Sequence, residues 1–167
     1  MNIVLTGFMC TGKTVVGLAL SEKLNMEYID TDSEIEKVAG KKIVNIFAEH
    51  GEAFFRDLEY KVILEISKKN NCVISTGGGA VLRKENLDNL RFNGKIINLT
   101  ARAETIFNRL KKHHGERPLL NKPEPMKEII NLMKIREQFY KNCDLQIETD
   151  NLSVEQIVEK IIGIINN

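Results

Sequence analysis

The segment NIVLTGFMCTGKTVVGLALSEKL, residues 2–24, constrains the fold more than any other stretch of the chain. A short apolar run enters a glycine-rich loop, and the loop leads into a stretch of helical period with Val16, Leu20 and Leu24 on one stripe. The loop itself, GFMCTGKT at 7–14, fits G-x-x-x-x-G-K-[ST], a pattern that carries chemical meaning only between a strand and a helix. Both flanks here are of the required kind. Glycines let the backbone curl so that successive N–H groups point inward at phosphate oxygens. The start of the following helix adds its positive dipole end. Lys13 is expected to reach the β- and γ-phosphates of a nucleotide and Thr14 to offer its hydroxyl to Mg²⁺. Cys10, Thr11, Gly12 and Val15 complete the expected nucleotide-binding loop. The competing reading is a glycine-rich turn that arose by chance. For Cys10 two readings stand: a thiol made oxidation-sensitive by surrounding N–H groups, or a small loop residue with no role.

The remainder of the chain continues the alternation. Strand-like runs are expected at 26–30, 72–76, 95–100 and 145–149, separated by helical segments at about 43–69 (broken near Gly51), 84–90, 104–111, a long one ending near Lys141, and 154–164. Ser33 with Glu36, and Ser153 with Gln156, have capping-box spacing. Five short strands without clean in/out alternation indicate a parallel sheet covered on both faces, a three-layer α/β domain. Its functional loops gather at the strand C-termini. No linker or repeat divides the 167 residues, so one domain is expected.

Composition excludes several classes. With 24 basic and 23 acidic residues there is no excess positive field for nucleic acid or an anionic membrane surface. No apolar run is long enough to span a bilayer and no leader pattern opens the chain, so a cytoplasmic protein is expected. Cys10, Cys72 and Cys143 are odd in number, with no C-x-x-C pair, and read as reduced thiols.

Other residues suggest a second ligand beside the nucleotide. In YIDTD, residues 28–32, Asp30 and Asp32 lie two apart on what reads as an extended chain, so both carboxylates face one side. One suits the water shell of Mg²⁺, the other the proton of an attacking hydroxyl; turn and cap chemistry is the plainer alternative. Arg56 in FFRDLE and Arg136 in IREQFY stand close to apolar positions, as guanidinium groups awaiting an anion do. Arg117, in GERPLL, lies in a stretch punctuated by Gly115, Pro118, Pro123 and Pro125, and reads as a lid arginine. His113 and His114 lack the further ligands of a metal site. Finally, VISTGGGAVL places Gly77, Gly78 and Gly79 at a strand end with no Lys-Ser/Thr after them.

Taken together and in this order, GFMCTGKT, DTD, FRDLE, STGGG, RPLL and REQFY resemble shikimate kinase over essentially the whole chain. The resemblance implies a five-stranded parallel sheet of order 2-3-1-4-5, a lid at about 111–125 and an acceptor-binding helical region at about 31–60. It implies transfer of the ATP γ-phosphoryl group to the 3-hydroxyl of shikimate, on the route to chorismate and the aromatic amino acids. Carried onto matching positions, Asp32 binds shikimate hydroxyls and serves as base, and Thr14 and Asp30 hold Mg²⁺. Arg56 and Arg136 pair with the shikimate carboxylate, and Arg117 closes on the ATP phosphates. Arg109 is a candidate for stacking on adenine, with the loop 149–153 bordering the base. The three glycines let the main chain approach the acceptor and offer it an N–H. The family commonly has glycine at Cys10 and often arginine at Leu18. ATP and shikimate are the expected partners of a monomer. A kinase for a nucleoside monophosphate or gluconate, and a non-catalytic nucleotide-binding domain, remain the alternatives.

Overall fold

The computed structural model describes residues 1–112 and 121–165. Five parallel strands form one sheet in the order β2-β3-β1-β4-β5, as expected. They are β1 Asn2–Thr6, β2 Glu27–Asp30, β3 Cys72–Ser75, β4 Gly94–Thr100 and β5 Leu145–Glu148. The helices are α1 Lys13–Leu24, α2 Thr31–Ala39, α3 Ile43–Ser67, α4 Lys84–Phe92, α5 Ala103–Lys112, α6 Pro125–Tyr140 and α7 Val154–Ile165, with a 3-10 turn at Ala80–Leu82. None is long and apolar enough to cross a membrane among the described residues. His113, His114 and Arg117 lie outside those residues, as does most of the expected lid.

Successive strand residues point to opposite faces, and β1 shows what that does here. Val4 packs with Ile63, Ile74, Leu90 and Ile96 beneath α2–α6, while Ile3 and Leu5 pack with Leu20, Ile97 and Ile161 beneath α1 and α7. Each such side chain taken from water contributes roughly 1.5–3 kcal/mol, so the sheet is held by two cores. Alternation is absent from β1 and β3, which are buried throughout, and returns in the edge strands β2 and β5.

The helix ends follow their local chemistry, with one correction. Ser153 and Gln156 form the expected reciprocal cap of α7: Ser153 N–H donates to Gln156 Oε1 at 2.9 Å and Gln156 N–H to Ser153 Oγ at 3.2 Å. Ser33 and Glu36 do not. The helix starts earlier, at Thr31, because the Asp30 carboxylate reaches the Ser33 N–H at 3.0 Å and becomes the cap. Glu36 instead accepts the Ile43 N–H at 3.0 Å and so caps the next helix. The break expected near Gly51 is present: that residue has φ 77° and ψ 178° inside α3. Phe47 and Phe55, with ring centroids 4.5 Å apart, bridge the kink. Arg56 follows immediately.

Candidate active site

The strand register sets the site. Asp30, last in β2, pairs with Ser75, last in β3, so the DTD and GGG segments leave the sheet side by side. The loop after β1 leaves from the next strand over. Between them lies a cleft of about 530 Å³ lined by Cys10–Val15, Asp30, Asp32, Gly77, Gly78 and Arg109 among others. Residues from five separate stretches of sequence converge there.

On one wall the chain turns through Gly7 and Gly12, at φ 144° and 100°. A Cβ at Gly7 would strike the Leu99 carbonyl oxygen. Gly12 is the N-cap of α1, and neither a side-chain cap nor an acidic first-turn residue covers the helix end. The N-terminal amides of a twelve-residue helix thus face the cleft, an arrangement that attracts phosphate. Cys10 also holds left-handed backbone, at φ 59°. The Lys13 ammonium folds over the loop and donates to the carbonyls of Gly7 at 2.8 Å and Phe8 at 2.9 Å. Burial lowers its pKa to about 8, against the opposing pull of Asp32, Cys10 and Asp30.

On the other wall, Asp30 and Asp32 both face the cleft, but not by strand periodicity. The strand stops at Asp30, and Asp32 stands in the first turn of α2. Asp30 has two duties in the fold, accepting from Ser33 N–H and, at 3.5 Å, from the Tyr28 hydroxyl. Asp32 is enclosed; burial first, then the charges of Asp30 and Glu59, raise its pKa to about 6, with Lys13 opposing. Thr31, between them, is fully buried and its hydroxyl oxygen accepts the Gly77 N–H at 2.9 Å. That amide is therefore committed to the fold, and the expectation that the glycine turn offers the acceptor an N–H is narrowed to Gly78 and Gly79.

The glycines also have a steric reason that the sequence did not disclose. A Cβ at Gly77 would strike the Asp32 carboxylate, and one at Gly79 would come within 2.5 Å of the Arg56 guanidinium. At Gly78 the nearest atom would be the Tyr140 hydroxyl, at 3.7 Å. Two of the three glycines thus clear space for the Asp32 and Arg56 side chains.

Arg56 is held by Glu59 at 2.9 Å and Glu52 at 3.2 Å. The Glu59 side chain is only 1% exposed, and burial raises its pKa while Arg56 lowers it. Arg136 projects from α6 with its guanidinium 5.8 Å from the centroid of the Phe8 ring; burial raises the pKa of the neighbouring Tyr140 phenol and the Arg136 charge opposes that rise. Arg109 joins the phosphate loop to the loop after β5, donating to the Cys10 carbonyl at 2.9 Å and to Thr149 Oγ1 at 3.3 Å. The 149–153 loop is tied down there: Thr149 Oγ1 donates to the Thr100 carbonyl at 3.0 Å, and the Asp150 carboxylate accepts the Arg102 N–H at 2.9 Å. Leu152, Val154 and Ile157 give this end of the cleft an apolar lining.

Sequence reasoning quoted Glu59 within FRDLE without giving it a task, and passed over Thr31 and Tyr140. The signal for Glu59 was its spacing of three from Arg56 on a helix, which sets the two on one face. Among the described residues no group of three or more His, Cys, Asp or Glu gathers as a metal cage. A hydroxyl, Thr14, and a carboxylate, Asp30, line the same cleft. That donor set fits a hard cation that keeps waters and arrives with phosphate oxygens.

Comparison with known proteins agrees with this geometry. The family described as shikimate kinase matches residues 9–166. A shikimate kinase of Caldicellulosiruptor bescii is 53% identical over 163 residues, covering 98% of this chain and 94% of that relative. Among solved structures, shikimate kinase from Acinetobacter baumannii in complex with shikimate superposes with a TM-score of 0.91 at 35% identity, covering 99% of this chain and 92% of that one. Shikimate kinase from Bacteroides thetaiotaomicron gives 0.93 at 34% identity, over 100% and 99% of the two chains. Fold, cleft and relatives lead to one statement: this chain belongs to the shikimate kinase family.

Proposed function

We propose that this chain, an ATP-dependent kinase of that family, transfers the γ-phosphoryl group of ATP to the 3-hydroxyl of shikimate with a specific division of labour among its residues. The observation that carries the reading is the two-walled cleft: an uncapped helix end with Lys13 faces Asp30 and Asp32 across the same space, and Arg56, paired with Glu59, stands beside Gly79 of the turn that borders it. The first wall suits a nucleotide's phosphates, the second a small acid bearing hydroxyls.

Phosphoryl transfer asks a protein mainly for positioning and charge neutralisation. The amides of Cys10–Val15 and the Lys13 ammonium hold the β- and γ-phosphates, Lys13 releasing the Gly7 and Phe8 carbonyls as it does so. Thr14 and Asp30 hold Mg²⁺, which when bound with the nucleotide neutralises charge on its phosphate oxygens. Arg56 and Arg136 take the acceptor carboxylate. Asp32 orients the 3-hydroxyl and receives its proton; a carboxylate with pKa about 6 is ionised at neutral pH and still basic enough to accept. Arg109 and the 149–153 loop wall the base. Arg117 is assigned from its motif to close over the phosphates and exclude water, which would otherwise accept the phosphoryl group.

An ADP-release assay with shikimate, AMP, CMP and gluconate as acceptors tests the reading. Turnover with shikimate alone is the expected result; turnover with a nucleotide or gluconate instead, or none at all, would overturn it. Lys13→Ala abolishes turnover. Arg56→Ala and Arg136→Ala raise the KM for shikimate with little change for ATP, and the opposite pattern refutes the clamp.

A further inference from the structure

Tyr140, the last residue of α6, is 7% exposed and buried against the glycine turn. Its hydroxyl donates to the Gly78 carbonyl at 2.5 Å; burial pushes the phenol's pKa up, and the nearby Arg136 charge opposes that push. The contact joins residues 62 positions apart in sequence. Its importance comes from the peptide unit, which is planar and trans, so that a C=O and the N–H that follows it point to opposite sides. A hydrogen bond that fixes the Gly78 carbonyl therefore fixes the Gly79 N–H as well.

The same logic applies one residue earlier. The Gly77 carbonyl accepts the Ala80 N–H at 3.1 Å, which sets the Gly78 N–H, while the Gly77 N–H is taken by Thr31. Among the described residues neither the Gly78 nor the Gly79 N–H donates to another protein group. Two oriented amides thus remain for a ligand. The Gly77–Gly78 and Gly78–Gly79 peptides both lack a Cβ on either side and are poorly able to hold their own direction; the first is anchored by the Ala80 N–H on the Gly77 carbonyl, and the second by Tyr140 on the Gly78 carbonyl.

We propose that Tyr140 is a positioning residue for the acceptor: through the Gly78 carbonyl it aims the Gly79 N–H toward the acceptor. Tyr140 closes α6, the helix that also carries Arg136, so a displacement of that helix end is transmitted to the turn through the phenol. This rests on the acceptor reading given above.

The test is Tyr140→Phe in the full chain, which keeps the ring and removes the hydroxyl. The expected result is a KM for shikimate raised about tenfold, the scale of one lost hydrogen bond, with the KM for ATP within about twofold and kcat falling far less than kcat/KM. An unchanged shikimate KM overturns the proposal. So does a parallel rise in both KM values together with a lowered Tm, because that is the pattern of lost packing. If the variant does not fold, ¹⁵N-glycine spectra of the unaltered protein decide the matter. Shikimate shifts the Gly79 amide and leaves that of Gly77, held by Thr31, in place; an unmoved Gly79 resonance overturns the proposal. Should the unaltered protein fail to turn over shikimate, the functional reading falls. The anchoring still stands or falls on whether the free Tyr140→Phe protein broadens the Gly79 amide signal while leaving Gly77 sharp.

Discussion

A Cβ at Gly77 would overlap the Asp32 carboxylate and one at Gly79 the Arg56 guanidinium, whereas at Gly78 it would make only ordinary contacts with the Tyr140 hydroxyl, the Gly7 carbonyl and the Met9 nitrogen. Alanine at Gly77 or Gly79 therefore displaces Asp32 or Arg56, at a cost of about 1–3 kcal/mol for an overfilled site. Alanine at Gly78 is expected to leave stability within about 0.5 kcal/mol. Thermal unfolding of the three variants checks the order; equal losses at all three positions would refute the steric account. Asp32 offers a second test at this scale. The folded chain keeps its proton up to about pH 6, against an ordinary value of 3.8. Between those values the folded state binds more protons than the unfolded one, so stability falls as pH rises through the window and the penalty is complete above it. Asp32→Asn removes the charge and stabilises the free protein at pH 7, by on the order of 1–2 kcal/mol more than at pH 4. Urea unfolding at both pH values, without nucleotide or metal, gives the comparison, and an identical gain at both would contradict it. The same substitution lowers kcat by orders of magnitude.

Two segments with the same capping-box spacing behave differently, and the reason is visible one turn upstream. Asp150 stands as far before Ser153 as Asp30 before Ser33, but its carboxylate is engaged by the Arg102 N–H and the Thr105 hydroxyl, so the box forms with Gln156. Before Ser33 stands Asp30, whose carboxylate reaches the helix amides first and frees Glu36 to cap α3. Spacing alone therefore identified a helix start in both cases but its cap in one. The kink of α3 was legible because glycine interrupts a long helical period, and its backbone explains why only glycine serves. At φ 77° and ψ 178°, Gly51 occupies a region almost closed to other residues. Gly51→Ala is expected to cost about 1–3 kcal/mol and, because Arg56 follows the kink, to weaken shikimate binding along with it. Urea unfolding and the shikimate KM check both halves; an unchanged KM would show that the two parts of α3 are mechanically independent.

Across the whole molecule, element types were readable because a parallel sheet covered on both faces imposes apolar strands between amphipathic helices, and this chain keeps that alternation to its last helix. The strand order was not readable from pattern; it came with the family resemblance. The phosphate loop was local and hence legible, whereas the contacts that finish the acceptor side join Thr31 to Gly77 and Tyr140 to Gly78, 46 and 62 residues apart. No local signal marks such partners. The wall that was legible makes a global prediction. Nucleotide at 100 times its Kd should stabilise the protein by about 2.7 kcal/mol, and Lys13→Ala should abolish that gain without unfolding the chain; a ligand-induced Tm shift that survives the substitution would exclude Lys13 from phosphate binding. Asp30, Thr31 and Asp32 each answer to a different master: a helix end, a neighbouring turn and the cleft, where we propose that Asp32 meets the reacting hydroxyl. Architecture and chemistry share one three-residue joint and cannot be inherited separately. A redesign for another acceptor would have to leave that joint alone and begin instead from the helices α3 and α6.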